Sequence, residues 1–344
     1  MESIRRIIKS KTPASVMMPV IQTILSLPPA AARYLIADFT APTKSQRDWV
    51  QMVEYSDWRG AWIGSDMSKC KGIEQKIKEA DLIIYEAHAP EFTYPVPVLE
   101  CVAAYEYLIN TLKVPGSKII LSGDSAGGAL CLETLVRVYA PGILTDIHFP
   151  RTNYRAELPA GLFLVSPLVS ANTASWLWEF TGDIITPVLA NRVLKEYLNL
   201  PEANPSELHV LKLAHIRSGF ARFAPKNILI YVGEREVMRD DILSLANTVK
   251  KDEKLNVQIR KENYEHDWYF IREIVKAQDR YIVDEADSQF VDFVASSVME
   301  KALINTKVIN ASTENAFSSN TTHLIPEQLQ AENESVSVVP PVTA

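Results

Sequence analysis

Hydrophobic residues in the middle of the chain form short continuous runs, separated by stretches in which apolar positions recur at helical spacing. Runs of this length predict β-strands, and those without polar alternation predict strands buried on both faces of a sheet. The predicted strands cover residues 80–88, 118–122, 160–167, 225–233 and 255–261. Because helical patterns alternate with them, the sequence predicts an α/β fold with a mainly parallel sheet and helices on both faces.

The same patterns divide the chain into an N-terminal helical segment at 1–44 and a main domain at 45–303. Aromatic and glycine residues between Arg47 and Asp66 predict early strands of a mixed sheet. Helices are predicted at 95–112, between the first and second of these strands, and from about 287 to 303.

Two further segments have a distinct composition. Residues 171–223 carry Trp176, Trp178 and Phe180 and predict a cap-like excursion over a site. Residues 304–344 are rich in Ser, Thr, Asn, Glu and Pro without periodicity, which predicts a disordered tail.

The N-terminal segment begins with basic residues and continues as an apolar stretch, Ala14 to Leu27, interrupted by Pro19. This stretch is too short to span a bilayer. We favour an amphipathic helix that packs over a substrate pocket, and a signal anchor or interfacial helix is the alternative.

Composition narrows the class of partner. The 344 residues are 47% hydrophobic, and the net charge is −7 without a basic cluster, which argues against nucleic acid or an anionic membrane as the main partner. Three cysteines have neither metal-ligand spacing nor an even count, so we expect a reducing compartment. Cytoplasmic localisation is the prediction, with association to the endoplasmic reticulum membrane as the alternative.

The motif Gly123-Asp124-Ser125-Ala126-Gly127-Gly128 joins a predicted strand to a predicted helix. In a G-x-S-x-G turn, the two glycines remove the Cβ atoms that would collide where the strand folds onto the helix. The serine hydroxyl is then exposed, and the free N–H groups of the first helical turn can bind an oxyanion. Ser125 is therefore a candidate nucleophile, and the backbone N–H of Ala126 is a candidate oxyanion donor.

A serine nucleophile requires a histidine base, and that histidine requires an acid to orient it. His266 follows a predicted strand near the end of the sheet and is the candidate base. The acid is expected in the loop after the preceding strand, where four carboxylates compete. They are Glu234, Glu236, Asp240 and Asp241.

Over residues 45–300, the serine motif, the run at 233–240 and the late Glu265-His266 resemble the hormone-sensitive-lipase branch of the α/β-hydrolases. The resemblance is closest to fungal steryl acetyl hydrolases or esterases. It implies the α/β-hydrolase fold with a helical cap and places the catalytic acid at Glu236, with Glu234 as the lesser candidate. Asp124 directly precedes the nucleophile, and we interpret it as a structural or helix-N-terminal charge rather than the triad acid.

The chain departs from that family pattern near residue 88. It has no His-Gly-Gly-Gly motif, which supplies most of the oxyanion hole in the family. Residues 81–88 look like the run into that motif, whereas 89–95 look like the end of a later Tyr-Arg-Leu-Ala-Pro-Glu motif, so about one strand–helix unit is missing. A natural deletion and a gene model that omits an exon both explain the junction, and intact flanks favour the second. Loss of one donor lowers turnover about 100- to 1,000-fold, so weak activity is expected from the chain as written.

The leading function is a serine carboxylic-ester hydrolase that acts through Ser125, His266 and Glu236. The expected substrate is a small molecule, a bulky apolar ester whose acyl group is short by analogy with the family. The reaction requires neither a metal nor an organic cofactor. A tailoring hydrolase in fungal secondary metabolism is one alternative, and a catalytically weak or dead binding protein is another. The sequence leaves the oligomeric state open.

Overall fold

The computed structural model describes residues 13–87, 93–143, 157–170, 177, 182–198, 213–214 and 216–317. Internal contacts divide the chain into two units, Met1–Ala302 and Leu303–Ala344, and the architecture below is that of the first. The helical part of the second unit ends at Phe317. Residues 318–344, most of the predicted tail, lie outside the described residues.

The first unit alternates helices and strands as the hydrophobic pattern predicts. Its helices are α1 Ala14–Ser26, α2 Pro29–Thr40, α3 Ile73–Glu79, α4 Val96–Glu106, α5 Ser125–Tyr139, α6 Pro187–Leu198, α7 Arg239–Val249 and the part of α8, Arg280–Phe317, that ends at Ala302. Its strands are β1 Val50–Glu54, β2 Arg59–Ile63, β3 Ile83–Ala87, β4 Ile119–Asp124, β5 Gly161–Val165, β6 Asn227–Gly233 and β7 Asn256–Glu262.

Five strands form one sheet in the order β3-β4-β5-β6-β7. All four neighbouring pairs are parallel, with Ile120 opposite Gly161 and Leu162 opposite Ile228. The three central strands are almost wholly buried, which explains why their sequences are continuous apolar runs. The predicted parallel α/β sheet is confirmed.

Successive side chains of the central strands enter two different cores. Leu162 and Leu164 face a core shared with α4, α5 and α7, whereas Phe163 and Val165 face a second core shared with α8. This alternation follows from the two-residue repeat of a strand, and it places helices on both faces of the sheet. The start of α8 at Arg280, seven residues before the predicted start, brings Val283 and Ala286 into the second core.

The early strands differ from the prediction. β1 and β2 form a separate antiparallel pair, and within the described residues neither joins the five-stranded sheet. Aromatic contacts stabilise the pair. Trp58 stacks on Tyr55, and the ring centroids of Trp58 and Tyr107 are 5.4 Å apart. The separation agrees with the expected loss of a strand–helix unit near residue 88, which remains a prediction.

The N-terminal helix α1 packs on the second core through Met18, Ile21 and Leu25. The side chain of Gln22 donates a hydrogen bond of 2.7 Å to the backbone carbonyl of Asp183. In the part of the chain that the structure describes, no helix combines the length and the hydrophobicity that crossing a bilayer requires.

A buried ion pair lies within α5. The guanidinium of Arg137 donates to Glu133 with an Nη2–Oε1 distance of 2.6 Å, and both side chains are buried. The same guanidinium donates to the hydroxyl of Tyr94 at 3.0 Å. Burial raises the pKa of Glu133, and the charge of Arg137 acts in the opposite direction.

We expect Arg137→Met to lower the free energy of unfolding by about 3–5 kcal/mol, because it leaves the carboxyl of Glu133 buried without its cation. Urea denaturation followed by circular dichroism measures this loss. The double variant Glu133→Gln with Arg137→Met removes both charges and should recover most of it. Equal instability of the single and double variants would contradict this account.

Candidate active site

The turn between β4 and α5 holds Ser125 in a left-handed backbone conformation with φ of 48°. Few residues other than glycine adopt this conformation, so the turn is strained. A Cβ atom on Gly127 would lie 2.1 Å from the carbonyl oxygen of Ala87, and one on Gly123 would lie 2.6 Å from the backbone of Gly127. The two glycines therefore allow the helix to approach the strands at this point.

His266 follows β7 and is 2% exposed. Its Nε2 atom lies 2.9 Å from Oγ of Ser125, a hydrogen-bond distance between residues that are 141 positions apart. The parallel sheet explains the meeting, since β4 and β7 present their carboxyl ends at the same edge. The structure thus brings the predicted nucleophile and the predicted base together.

Glu236, in the loop after β6, is buried on the other side of the imidazole. Its Oε2 atom lies 3.9 Å from Nδ1 of His266, which is an ionic contact but too long for a hydrogen bond. Oε2 accepts hydrogen bonds from the hydroxyl of Ser166 at 2.5 Å and from the N–H of Gly233 at 3.1 Å. Among the described residues, neither Nδ1 of His266 nor Oε1 of Glu236 has a hydrogen-bond partner.

The competing carboxylates lie elsewhere. Glu234 is 46% exposed and pairs with Lys261 at 3.5 Å. Asp240 pairs with the guanidinium of its neighbour Arg239 at 2.8 Å. Asp241 follows Asp240 in the first turn of α7. Of Glu234, Glu236 and Asp240, Glu236 is the one that contacts His266.

Asp183 contacts both loops that surround the site, and it was not among the residues predicted from the sequence. Its Oδ1 atom accepts the backbone N–H of His266 at 2.9 Å and that of Ile184 at 2.7 Å, and Oδ2 accepts the N–H of Val237 at 2.8 Å. Burial raises its pKa, and His266 and the three N–H groups oppose the increase. One carboxylate therefore fixes the positions of both loops that carry the partners of Ser125.

Asp267 was also missed, although it directly follows His266. It is buried, adopts φ of 56°, and its Oδ2 atom lies 3.0 Å from Nε2 of His266. Its backbone N–H donates to the hydroxyl of Ser166 at 3.1 Å. The one sequence signal that could have indicated a role for Asp267 is its position directly after the candidate base.

The group of carboxylates changes the proton affinity of the site. Burial by itself disfavours the imidazolium, but the carboxylates of Asp267, Glu236 and Asp183 outweigh burial and raise the pKa of His266. Burial also raises the pKa of Glu236, against the opposing effect of His266. The site therefore retains protons to higher pH than the same side chains would in water.

The oxyanion side is described in part. Ala126 is the second residue of α5, where backbone N–H groups have no partner within the helix. The carbonyl of Ser125 accepts the N–H of Leu168, which fixes the turn against the segment after β5. His88 and the expected junction with residue 89 lie outside the described residues, as do Trp176, Trp178 and Phe180.

We expect Gly127→Ala to destabilise the protein, because its new Cβ would meet a backbone oxygen that cannot move aside. Overpacking of this kind lowers the free energy of unfolding by about 1–3 kcal/mol. Gly142→Ala is the matched control, since a Cβ there meets nothing within 4 Å. Thermal unfolding should show a lower midpoint for the first variant only, and equal midpoints would contradict the packing described.

Comparison with curated proteins gives two relatives. Over 180 residues the chain is 27% identical to mug81 of Schizosaccharomyces pombe (strain 972 / ATCC 24843), which is named for steryl acetyl hydrolysis; the match covers 49% of this chain and 43% of that protein. It is 25% identical over 186 residues to Lipase 2 of Moraxella sp. (strain TA144), and this match covers 48% of this chain and 41% of that protein. The chain thus spans less than half the length of the curated relatives it matches.

Solved structures show the same fold. An esterase from the bacterial hormone-sensitive lipase family superposes with a TM-score of 0.59 at 18% identity, covering 83% of this chain and 98% of that one. A hormone-sensitive lipase from a metagenome library superposes with a TM-score of 0.58 at 16% identity, covering 83% of this chain and 100% of that one.

A family model described by the alpha/beta hydrolase fold matches residues 75–270, a range that begins within α3 and includes Ser125, Glu236 and His266. Because this match extends over more than half of the chain, and the sheet and the serine turn agree with it, the protein belongs to the alpha/beta hydrolase family.

Proposed function

We propose that the protein is a carboxylic ester hydrolase in which Ser125 is the nucleophile, His266 the general base and Glu236 the acid. The observation that carries the proposal is the 2.9 Å contact between Oγ of Ser125 and Nε2 of His266 at a strained strand-to-helix turn. The names of the curated relatives, a steryl acetyl hydrolase and a lipase, support ester hydrolysis.

The reaction follows from these positions. Oγ of Ser125 bonds to the acyl carbon while its proton passes to Nε2 of His266, and the N–H of Ala126 binds the oxyanion that forms. The oxyanion collapses, the bond to the alcohol breaks, and His266 gives its proton to the leaving oxygen. Water then attacks the acyl-enzyme while His266 takes its proton, the bond between Oγ and the acyl carbon breaks as His266 returns the proton to Oγ, and the carboxylic acid is released.

Glu236 acts through the imidazole. A carboxylate that accepts a hydrogen bond from the Nδ1–H group keeps the lone pair on Nε2, where Ser125 needs it. The 3.9 Å separation must shorten for that hydrogen bond to form, and such contacts often tighten when a substrate binds. Ser166 and the N–H of Gly233 hold the carboxylate in place meanwhile.

A bulky apolar ester is the proposed substrate class. Helix α1 packs Met18, Ile21 and Leu25 against the core that contains Trp268, two residues after His266. The name of the fission yeast relative favours an acetyl ester. A tailoring role in fungal secondary metabolism would use the same residues and remains the alternative, as does a binding protein without turnover.

Replacing the nucleophile tests the proposal most directly. A fluorophosphonate probe should label the wild-type protein, and mass spectrometry should locate the label on Ser125. Ser125→Ala should abolish labelling and lower hydrolysis of p-nitrophenyl acetate by about 10⁴- to 10⁶-fold. A folded wild-type protein that neither labels nor hydrolyses the ester would favour the binding-protein alternative.

The two candidate acids are distinguished by matched variants. Glu236→Gln should lower kcat by about 10⁴-fold, because a neutral amide no longer favours the Nδ1 proton. Glu234→Gln should leave kcat nearly unchanged, since this side chain faces solvent and pairs with Lys261. The opposite ranking of the two variants would assign the acid to Glu234.

A further inference from the structure

Two oxygen atoms contact one ring nitrogen of His266. Oγ of Ser125 lies 2.9 Å from Nε2, and Oδ2 of Asp267 lies 3.0 Å from the same atom. An ionised carboxylate can only accept a hydrogen bond, so its contact requires a proton on Nε2. Accepting the proton of Ser125 requires a lone pair on Nε2. The two contacts therefore compete for opposite protonation states of one atom.

Most of the charge around this imidazole is negative. Glu236 faces Nδ1 from the loop after β6, Asp183 binds the backbone N–H of His266 from the segment before α6, and Asp267 faces Nε2. Asp124, at the end of β4, adds a negative charge that acts on Asp267. The cation of the Glu236 loop, Arg235, is paired with Glu265 at 2.7 Å.

This arrangement favours the protonated imidazole at rest. Burial disfavours the imidazolium, but the three carboxylates of Asp267, Glu236 and Asp183 raise the pKa of His266, and Asp267 is the largest contributor among them. An opposite charge at 4–6 Å or less shifts a pKa by about 1–3 units.

We propose that Asp267 is a positioning residue that holds the Nε2 proton of His266 at rest and thereby sets the pH above which Ser125 becomes nucleophilic. The second half of this inference rests on the proposed function. When the Nε2 proton leaves for solvent, the remaining proton is on Nδ1, facing Glu236, and Nε2 has a lone pair. The proton of Ser125 then moves to Nε2 as Oγ bonds to the acyl carbon, and Asp267 stabilises the imidazolium that results.

The backbone at this position permits a clean test. Asp267 has φ of 56°, a conformation that asparagine and glycine both adopt readily. Its backbone N–H, which donates to Ser166, is present in both variants. Asp267→Asn and Asp267→Gly should therefore fold while removing the charge in two different ways. Glu234→Gln is the matched control, because it neutralises an exposed acid of the neighbouring loop that pairs with Lys261.

The first measurement is an NMR titration of the His266 ring in the full chain, with its signals assigned by their loss in His266→Asn. In the wild type we expect the pKa of His266 to lie above its ordinary value. It should fall by about 1–3 units in Asp267→Asn and Asp267→Gly and stay unchanged in Glu234→Gln. A wild-type value retained in both Asp267 variants would overturn the proposal.

The second measurement is the rate of fluorophosphonate labelling as a function of pH. Neutral imidazole is the active form, so the rate falls as pH drops through the pKa of His266, and this acid limb should shift downward in Asp267→Asn. At a pH one unit below the pKa of wild-type His266, a variant whose His266 pKa is one unit lower should be labelled about five to six times faster than the wild type. An unmoved limb would overturn the role of Asp267 in activation. A lowered pKa without labelling in any protein would overturn the proposed function instead.

Discussion

The close approach of α5 to the end of β3 determines the geometry of the whole site. At Gly127 the helix backbone lies so near the carbonyl of Ala87 that a single methyl group would overlap it. That approach sets the direction in which α5 leaves the sheet, and it holds Ser125 at positive φ with its hydroxyl toward the carboxyl edge. The strain at Ser125 is local, and the packing of β4 and α5 in the buried cores compensates for it.

Around that serine, the protein buries three acidic side chains, those of Asp183, Glu236 and Asp267. Asp183 is compensated by three backbone N–H groups, and Glu236 by one N–H and a hydroxyl. Asp267 depends on the imidazole itself. Burying acids that are only partly compensated reduces stability, and such an arrangement is typical of sites built for proton transfer.

The parts of this structure that could be predicted from sequence are those written in local patterns. Continuous apolar runs marked the strands of the parallel sheet, and two glycines around Ser125 marked the turn, because each depends on residues a few positions apart. His266 was chosen as the candidate base from its place after a strand near the end of the sheet. The choice of Glu236 over its neighbours needed the resemblance to a family, since Glu234 and Asp240 have the same chemistry.

Other features depend on contacts between distant segments and could not be predicted. Asp183 lies in a segment that has no sequence motif, and it binds backbone N–H groups 54 and 83 positions away in the chain. The separation of β1 and β2 from the main sheet was missed because strand pairing depends on which partner is present, and local composition does not record this. Asp267 was visible as an acid beside a histidine, but its contact with Nε2 depends on a left-handed backbone.

The position of β3 has a consequence for the behaviour of the protein in concentrated solution. Within the described residues, β3 pairs with β4 alone, so one side of its backbone has no strand neighbour. Such an edge is a template for self-association, and the exposed side chain of Ile84 adds apolar surface to it. The shortness of the strand and the carboxylate of Glu86 within it work against the stacking of one molecule on the next. Any self-association through this edge would involve the strand whose last residue, Ala87, also fixes the position of α5.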